Sequence, residues 1–437
     1  MNVKIKALAF VLMAVLLVCG CGQKSETAAA PPAQAVTASA VQSSTARPVS
    51  TGVTPEQFGA KGDGIADDLQ ALQAAMQQAS ASGRPLELTA GAVYRFSSCL
   101  GLPSGLTIRG NGAVLLSDIQ YPDLREDRVA VELMKDSDDD RAHDVRLENV
   151  TFRAADSCQA NYMLRVMLAR NVEFVGCTFD CEPNEWGRGA ADLYGGNENI
   201  RFEGCVFRQM TSGASGGIWV RNWTDRVESR NIRFQNCEFY KSGADELLAV
   251  WGWSGAVRDV VLSGCSFYET QTQEALDADH RPVWFITLGQ SGTTDVRMED
   301  CTVRAEYCET IFRMVGDKTR AVVDNCDITM KQPDSMAKHD MKKGANPMLA
   351  RGNDRADGST VIQNSRITLS GDNGRRICYQ LSALKGNTLD VSLGYGIAST
   401  KEVSGNTIRG RIRHKVFQDC SGVENNNVEV RRFSILG

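Results

Sequence analysis

Along most of the chain, apolar and polar residues alternate in short runs, the pattern of half-buried β-strands rather than helices. One run recurs almost letter for letter: "NVEFVGCTF" from Asn171, "NIRFEGCVF" from Asn199 and "NIRFQNCEF" from Asn231. Aligned on its seventh place, the phrase runs through Val150, Cys177, Cys205, Cys237, Cys265, Cys301, Cys326 and Ser365, then Asn387, Asn406 and Asn426. Copies lie 19 to 39 residues apart, so each marks one structural coil, with insertions confined to loops. A second alternating stretch follows in most coils, as in "YMLRVML", "GGIWVRNW", "LLAVWGW", "VWFITL", "TIFRMV" and "MLAR". Short strands repeated in one orientation predict an all-β, right-handed parallel β-helix of about 11 or more coils. A propeller blade requires four antiparallel strands in about 40 residues. The last coils, 19 to 22 residues long, are too short for that.

Strand stacking gives the repeated cysteine a physical meaning. Equivalent residues of neighbouring coils lie about 4.8 Å apart, and a buried thiol behaves as a small hydrophobe that fills a bend. That spacing exceeds the usual separation of disulfide Cβ atoms, so the ladder is expected to stay reduced. Cys177 with Cys181, or Cys301 with Cys308, are the pairs left for disulfides off the ladder. The asparagines that replace cysteine in the last coils are suited to share side-chain hydrogen bonds from coil to coil.

The N-terminus carries different information. Lys4 and Lys6 precede an apolar run from Ala7 to Val18, too short to span a bilayer comfortably, which predicts an export signal over residues 1–20. The run ends in "VCGC", which resembles a lipobox with Cys21 as the lipidated residue. Gly22 stands where aspartate would favour inner-membrane retention, so the resemblance implies an outer-membrane anchor. Residues 21–54, rich in Ala, Pro and Ser and without periodicity, read as a disordered tether, and 55–437 as the solenoid. The formal charge is −5; without the two leader lysines, 46 basic residues face 53 acidic ones, a net −7. No basic run or tail occurs, which argues against nucleic acid as a partner.

Between tether and coils lies "FGAKGDGIADDLQALQAA". Asp67 or Asp68 is placed to N-cap a helix whose apolar face is Leu69, Leu72, Ala75, Met76 and Ala79, and such a helix would cover the open end of a solenoid. The segment resembles the N-terminal signature of the pectate-lyase-like β-helix superfamily, in its pectate lyase and polygalacturonase-like form. "SGLTIRGNGAVL" from Ser104 is similar to that superfamily's first coil. The resemblance covers about Val53 to Gly437 and implies hydrolases, lyases or epimerases of acidic polysaccharides, or phage tailspikes. The triple Asp63, Asp67 and Asp68 suits cap and turn chemistry better than a cation site.

Alternation in the second strand turns Ile218 and Val220 inward, leaving Trp219, Arg221 and Trp223 outward. With Leu248 and Val250 inward, Trp251 and Trp253 also face out. Above and below come Arg165, Asp192 with Tyr194, Thr287, Arg313 and Arg351. Four of the six tryptophans thus fall on two adjacent coils. Outward aromatics stack on sugar faces, and arginine forks hold carboxylates. Loops entering this strand carry Glu182, Glu185, Asp245, Glu246, Glu269, Glu274, Asp277, Asp279, Glu306 and Glu309. Glycoside hydrolysis needs two carboxyl groups, and "GADELLAVWGW" puts Asp245 and Glu246 at the edge of the aromatic surface. The segment is similar to the Asp-Asp stretch of polygalacturonases, whose Asn-Thr-Asp and Gly-His-Gly motifs are missing here. Alternatively, "DADHRPVW" offers His280 as the base of a lyase or epimerase, with Arg281, Arg221 or Arg313 to neutralise an enolate. A third reading is a non-catalytic glycan-binding lipoprotein of the cell envelope. No CxxC, HxxxH or HxH occurs, so no transition-metal site or other cofactor is implied, and nothing in the pattern calls for calcium.

Overall fold

Each copy of the repeated phrase forms a strand, a sharp bend and a second strand. Glu198–Glu203, Gly204, Cys205 and Val206–Met210 are one example. The bend is set by the residue before the ladder position, which is Gly, Asn or Asp in every copy. These residues run from Asn149 to Asn425, with φ between 52° and 64°. Glycine carries no Cβ to clash in this left-handed region, and Asn and Asp tolerate it through local hydrogen bonds. The sixth letter of the phrase therefore turns the chain, and the seventh fills the inside of the turn.

The computed structural model describes residues 52–120, 128–134, 140–181, 189–210, 217–222, 227–241, 246–269, 284–333, 347–353, 357–371 and 374–431. Strands pair in parallel from coil to coil, and the expected right-handed parallel β-helix is the fold found. A 14-stranded sheet holds the strands that follow the ladder position. The other strands form two ladders, one of phrase strands and one of site strands. They merge into one sheet because Leu248–Ser263 and Trp284–Glu299 run unbroken through the corner.

The interior is built of side-chain columns. Phe152, Phe179, Phe207, Phe239 and Phe267 stack nearly parallel, with neighbouring centroids 4.5–5.0 Å apart. Phe174, Phe202 and Phe234 repeat the arrangement at 4.8 and 4.9 Å. Cys177, Cys205, Cys237, Cys265, Cys301 and Cys326 are buried and free, as are Cys181 and Cys308, so neither off-ladder disulfide is present. The Cys205 thiol donates to the Phe174 carbonyl at 3.3 Å and that of Cys265 to Phe234 at 3.4 Å. In the final coils Asn387 donates to Asn406 at 3.0 Å and Asn406 to Asn426 at 2.9 Å. Polar stacking there replaces thiol stacking without leaving an amide unpaired.

Helix α1 (Leu69–Ser82) buries the expected face of Leu69, Leu72, Ala75, Met76 and Ala79. Its N-terminus differs from expectation. Asp68 holds the N-cap position, yet its buried carboxylate accepts the N–H groups of Lys61 and Gly62 at 2.7 and 3.0 Å. Asp67 takes the Leu69 N–H at 3.2 Å, and Asp63 takes those of Ile65 and Ala66 at 2.9 Å. All three aspartates thus fold backbone. Val53 bridges Leu86, so Val53 and Thr54 belong to the folded unit rather than to the tether. Cys21, the leader and the tether up to residue 51 lie outside the described residues. Among those described, no helix is long and apolar enough to cross a membrane.

Candidate functional site

On the site ladder, Leu164, Val166, Ile218, Val220, Leu248, Val250, Ile286 and Leu288 point into the core and are fully buried. Their neighbours must face out. Register then sets Arg165, Asp192, Trp219, Ala249, Thr287, Arg313 and Arg351 side by side on successive strands. Arg221 stands beside Trp251 one step along.

The first feature of this row is a carboxylate between two arginines. Asp192 is completely buried; Arg221 grips it with Nε at 2.7 Å and Nη2 at 2.8 Å, and Arg165 Nε reaches it at 3.2 Å. Burial alone would weaken the Arg221 cation, but the bonds and charge of Asp192 prevail and hold it above its ordinary value. Aromatic faces complete the cage: Arg221 Cζ lies 4.4 Å from the Trp219 ring and 4.9 Å from Tyr194, and Arg165 lies 5.3 Å from Tyr194. The sequence suggested Arg221 as an open cation for an enolate. It is instead only 10% exposed and engaged bidentately, because the preceding coil supplies a carboxylate diagonally across the ladder, opposite Trp219.

Next comes an aromatic row. Trp219 and Trp251 are 4.8 Å apart and Trp251 and Trp253 5.8 Å apart, climbing from the arginine cage to solvent, where Trp253 is 50% exposed. The indole N–H groups of Trp219 and Trp251 are buried and have no acceptor among the described residues. A buried indole N–H is ordinarily met by an acceptor such as a bound water.

A second carboxylate lies at the other end. Glu246 is buried, accepts the Thr287 hydroxyl at 2.8 Å and lies 3.6 Å from Arg313. Arg313 donates to Gln290 at 2.7 Å and covers the Trp284 ring at 3.6 Å. Burial pulls its cation below the ordinary value, Glu246 works against that, and neighbouring Arg351 adds to it. Asp192 and Thr287 are three strands apart in the register, about 14 Å. Asp192 is wholly buried between two arginines, which suits a structural carboxylate rather than one of a glycosidase acid pair. Among the other acids, Glu269 accepts the backbone N–H groups of Glu306, Tyr307 and Cys308, a loop-building role. Glu309 pairs with Arg375 at 3.8 Å.

The structure thus brings together Trp219, Arg221, Tyr194, Trp251 and Trp253, and places Glu246 with Arg313 beside them. Asp245, Trp223, His280 and Arg281 lie outside the described residues, as do Glu182, Glu185, Glu274, Asp277 and Asp279. Sequence reading passed over Tyr162, Trp284 and Gln290. The first two open their strands three residues before the row, where the strand leaves the bend and alternation no longer decides the facing. No group of three or more His, Cys, Asp or Glu arranged to hold a metal occurs among the described residues.

The family described as "Rhamnogalacturonase A/epimerase, pectate lyase-like" matches residues 53–267. Over that stretch, just under half of its length, the chain is similar to pectate-lyase-like proteins, and its parallel β-helix is the fold of that group. Similar solved structures include the gp42 tailspike of Acinetobacter phage vb_AbaP_AS12, at 12% identity and TM-score 0.51, covering 87% of this chain and 63% of the tailspike. A Geobacillus virus E2 protein, ORF18, aligns at 14% identity and TM-score 0.48 over 88% of this chain. The family 28 exopolygalacturonase of Yersinia enterocolitica aligns at 12% and 0.47, over 88% of this chain and 79% of the enzyme. This chain spans 62% of the length of the Geobacillus virus protein. At these identities the likeness is one of fold. No curated protein matches the chain.

Proposed function

We propose that the protein binds an acidic, uronate-containing polysaccharide along this face and cleaves it. The observation that carries the reading is the Trp219–Trp251–Trp253 row set flush against the Arg165–Asp192–Arg221 cage. Sugar rings stack on the indole faces while carboxylates take guanidinium donors. Rhamnogalacturonase and epimerase, the activities in the matched family's description, use substrates of this type.

In a hydrolytic mechanism Glu246 is the ionised carboxylate, because Thr287 and Arg313 both direct donors or positive charge at it. Asp245 would then supply the second carboxyl group. The competing reading is elimination or epimerisation with His280 as base and Arg281 or Arg313 facing the enolate. In its favour, both Asp192 and Glu246 are matched by arginines, so cations dominate this part of the face. A catalytically silent binder using the same groove is the third outcome.

Incubation of the purified protein with a panel of uronate polysaccharides separates the three. New reducing ends without an unsaturated product indicate hydrolysis, ultraviolet absorbance of an unsaturated product indicates elimination, and binding without either indicates a binder. No binding to any acidic glycan refutes the proposal. Trp251→Ala is expected to weaken binding about tenfold, about 1.4 kcal/mol, with the thermal midpoint nearly unchanged. Equal affinities by calorimetry would mean the sugar lies elsewhere.

We propose further that the protein is tethered at the cell envelope by lipid on Cys21, in the outer membrane. Support comes from the lipobox-like "VCGC" and the unpatterned residues behind it. Mass spectrometry of the native N-terminus should show an acylated Cys21, and a free terminus beyond it would refute the anchor.

A further inference from the structure

Arginines in this chain are usually matched by carboxylates, both on the phrase ladder and in the site. Two on the site ladder are not. Arg351 follows Arg313 in the register, and among the described residues no acid or hydrogen-bond acceptor meets its guanidinium. Arg376, on the next strand, has its Nε buried with no acceptor. Around them the face is aromatic. Tyr379 stands opposite Arg351, and Arg376 Cζ lies 5.4 Å from the Tyr379 ring and 5.8 Å from that of Tyr395. The exposed His414 stacks on Tyr395 at 4.3 Å and 21°.

We infer that Arg351 and Arg376, with Tyr379, Tyr395 and His414, form a second anion subsite that holds charged sugars of the same glycan beyond the reacting region. The chemistry is that of an arginine fork beside stacking rings: guanidinium N–H pairs bind a carboxylate or sulfate in plane, and the tyrosine and histidine faces carry the sugar ring. Unlike Arg221 and Arg313, these arginines have no carboxylate to displace, so a ligand anion gains the whole charge interaction. The subsite lies on the same ladder as the site, and the register from Trp219 to Tyr379 counts five strand steps, about 24 Å. A short oligosaccharide at the tryptophans cannot reach it, whereas a long one can. All five residues lie beyond residue 267, where the family match ends. This inference rests on the glycan reading above.

The test is affinity as a function of ligand length. Oligogalacturonates from two to ten units, sulfated dextran oligomers and neutral xylo-oligosaccharides are titrated against the full chain and against Arg351→Gln/Arg376→Gln. The parent is expected to bind long oligogalacturonates at least tenfold more tightly than short ones. The double variant should lose that gain and keep its affinity for the short ones. Arg351→Gln alone, which leaves the half-buried Arg376 in place, should lose part of the gain and guards against a variant that fails to fold. If sulfated oligomers show the loss and oligogalacturonates do not, the subsite stands with sulfate rather than carboxylate as its anion. Identical length dependence in parent and both variants overturns the subsite alone. Failure of the parent to bind any acidic oligomer overturns it together with the glycan reading.

Discussion

Glu246→Gln is expected to lower turnover of the acidic polysaccharide about 10²–10⁴-fold while affinity changes by no more than a few-fold. The substitution is nearly isosteric. A glutamine oxygen still accepts the Thr287 hydroxyl, so the buried contact at 2.8 Å is kept. What disappears is the negative charge facing Arg313 and with it the capacity to take a proton or attack a sugar carbon. Arg313 keeps Gln290 and the Trp284 face, which should hold it in place and preserve the local fold. Measured kcat, KM and thermal midpoint together check the claim, since a merely structural role would lower the midpoint and kcat together. Unchanged turnover would remove Glu246 from the chemistry and shift weight to His280 and elimination.

The solenoid was legible because its signals are local. Cysteine in seventh place, preceded by Gly, Asn or Asp, encodes the bend and the core column within two residues, and the structure repeats both coil by coil. The helical cap was equally plain from one apolar face. The site was less legible because its register is not local. From ladder position to site row the chain runs 12 residues between Cys301 and Arg313 but 25 between Cys326 and Arg351. Loops of different length intervene, so nothing in the phrase says that Asp192 meets Arg221. Alternation correctly turned Trp219, Arg221, Trp251 and Trp253 outward, but it does not distinguish an arginine open to solvent from one clamped by the neighbouring coil. The same limit explains Asp68: the letters suit an N-cap, and the competing donors of Lys61 and Gly62 come from a turn that the sequence does not position.

Asp192→Asn should cost about 3–5 kcal/mol of stability, the effect of breaking a buried ion pair by removing one partner. Both guanidiniums it holds are nearly sealed from water, at 9% and 10% exposure. An asparagine offers one oxygen and turns N–H donors toward N–H donors. In a solenoid each coil is held by its neighbours, so the loss falls on the contact between the coils of Arg165, Asp192 and Arg221. Urea unfolding followed by tryptophan fluorescence should show the shifted midpoint, since Trp219 lies against Arg221. Glu228→Gln provides the contrast. Its partner Arg258 is 45% exposed, and an exposed pair of this kind contributes at most about 1 kcal/mol. Equal midpoints for the two variants would mean that the Asp192 cage is not a buried ion-pair network. A third variant separates stability from recognition. Arg165→Met, Asp192→Leu and Arg221→Met together replace the cage with apolar side chains, a change often neutral for stability. That protein should unfold close to the parent midpoint and still lose its affinity for acidic glycan, because the cage would no longer present a cation to the sugar.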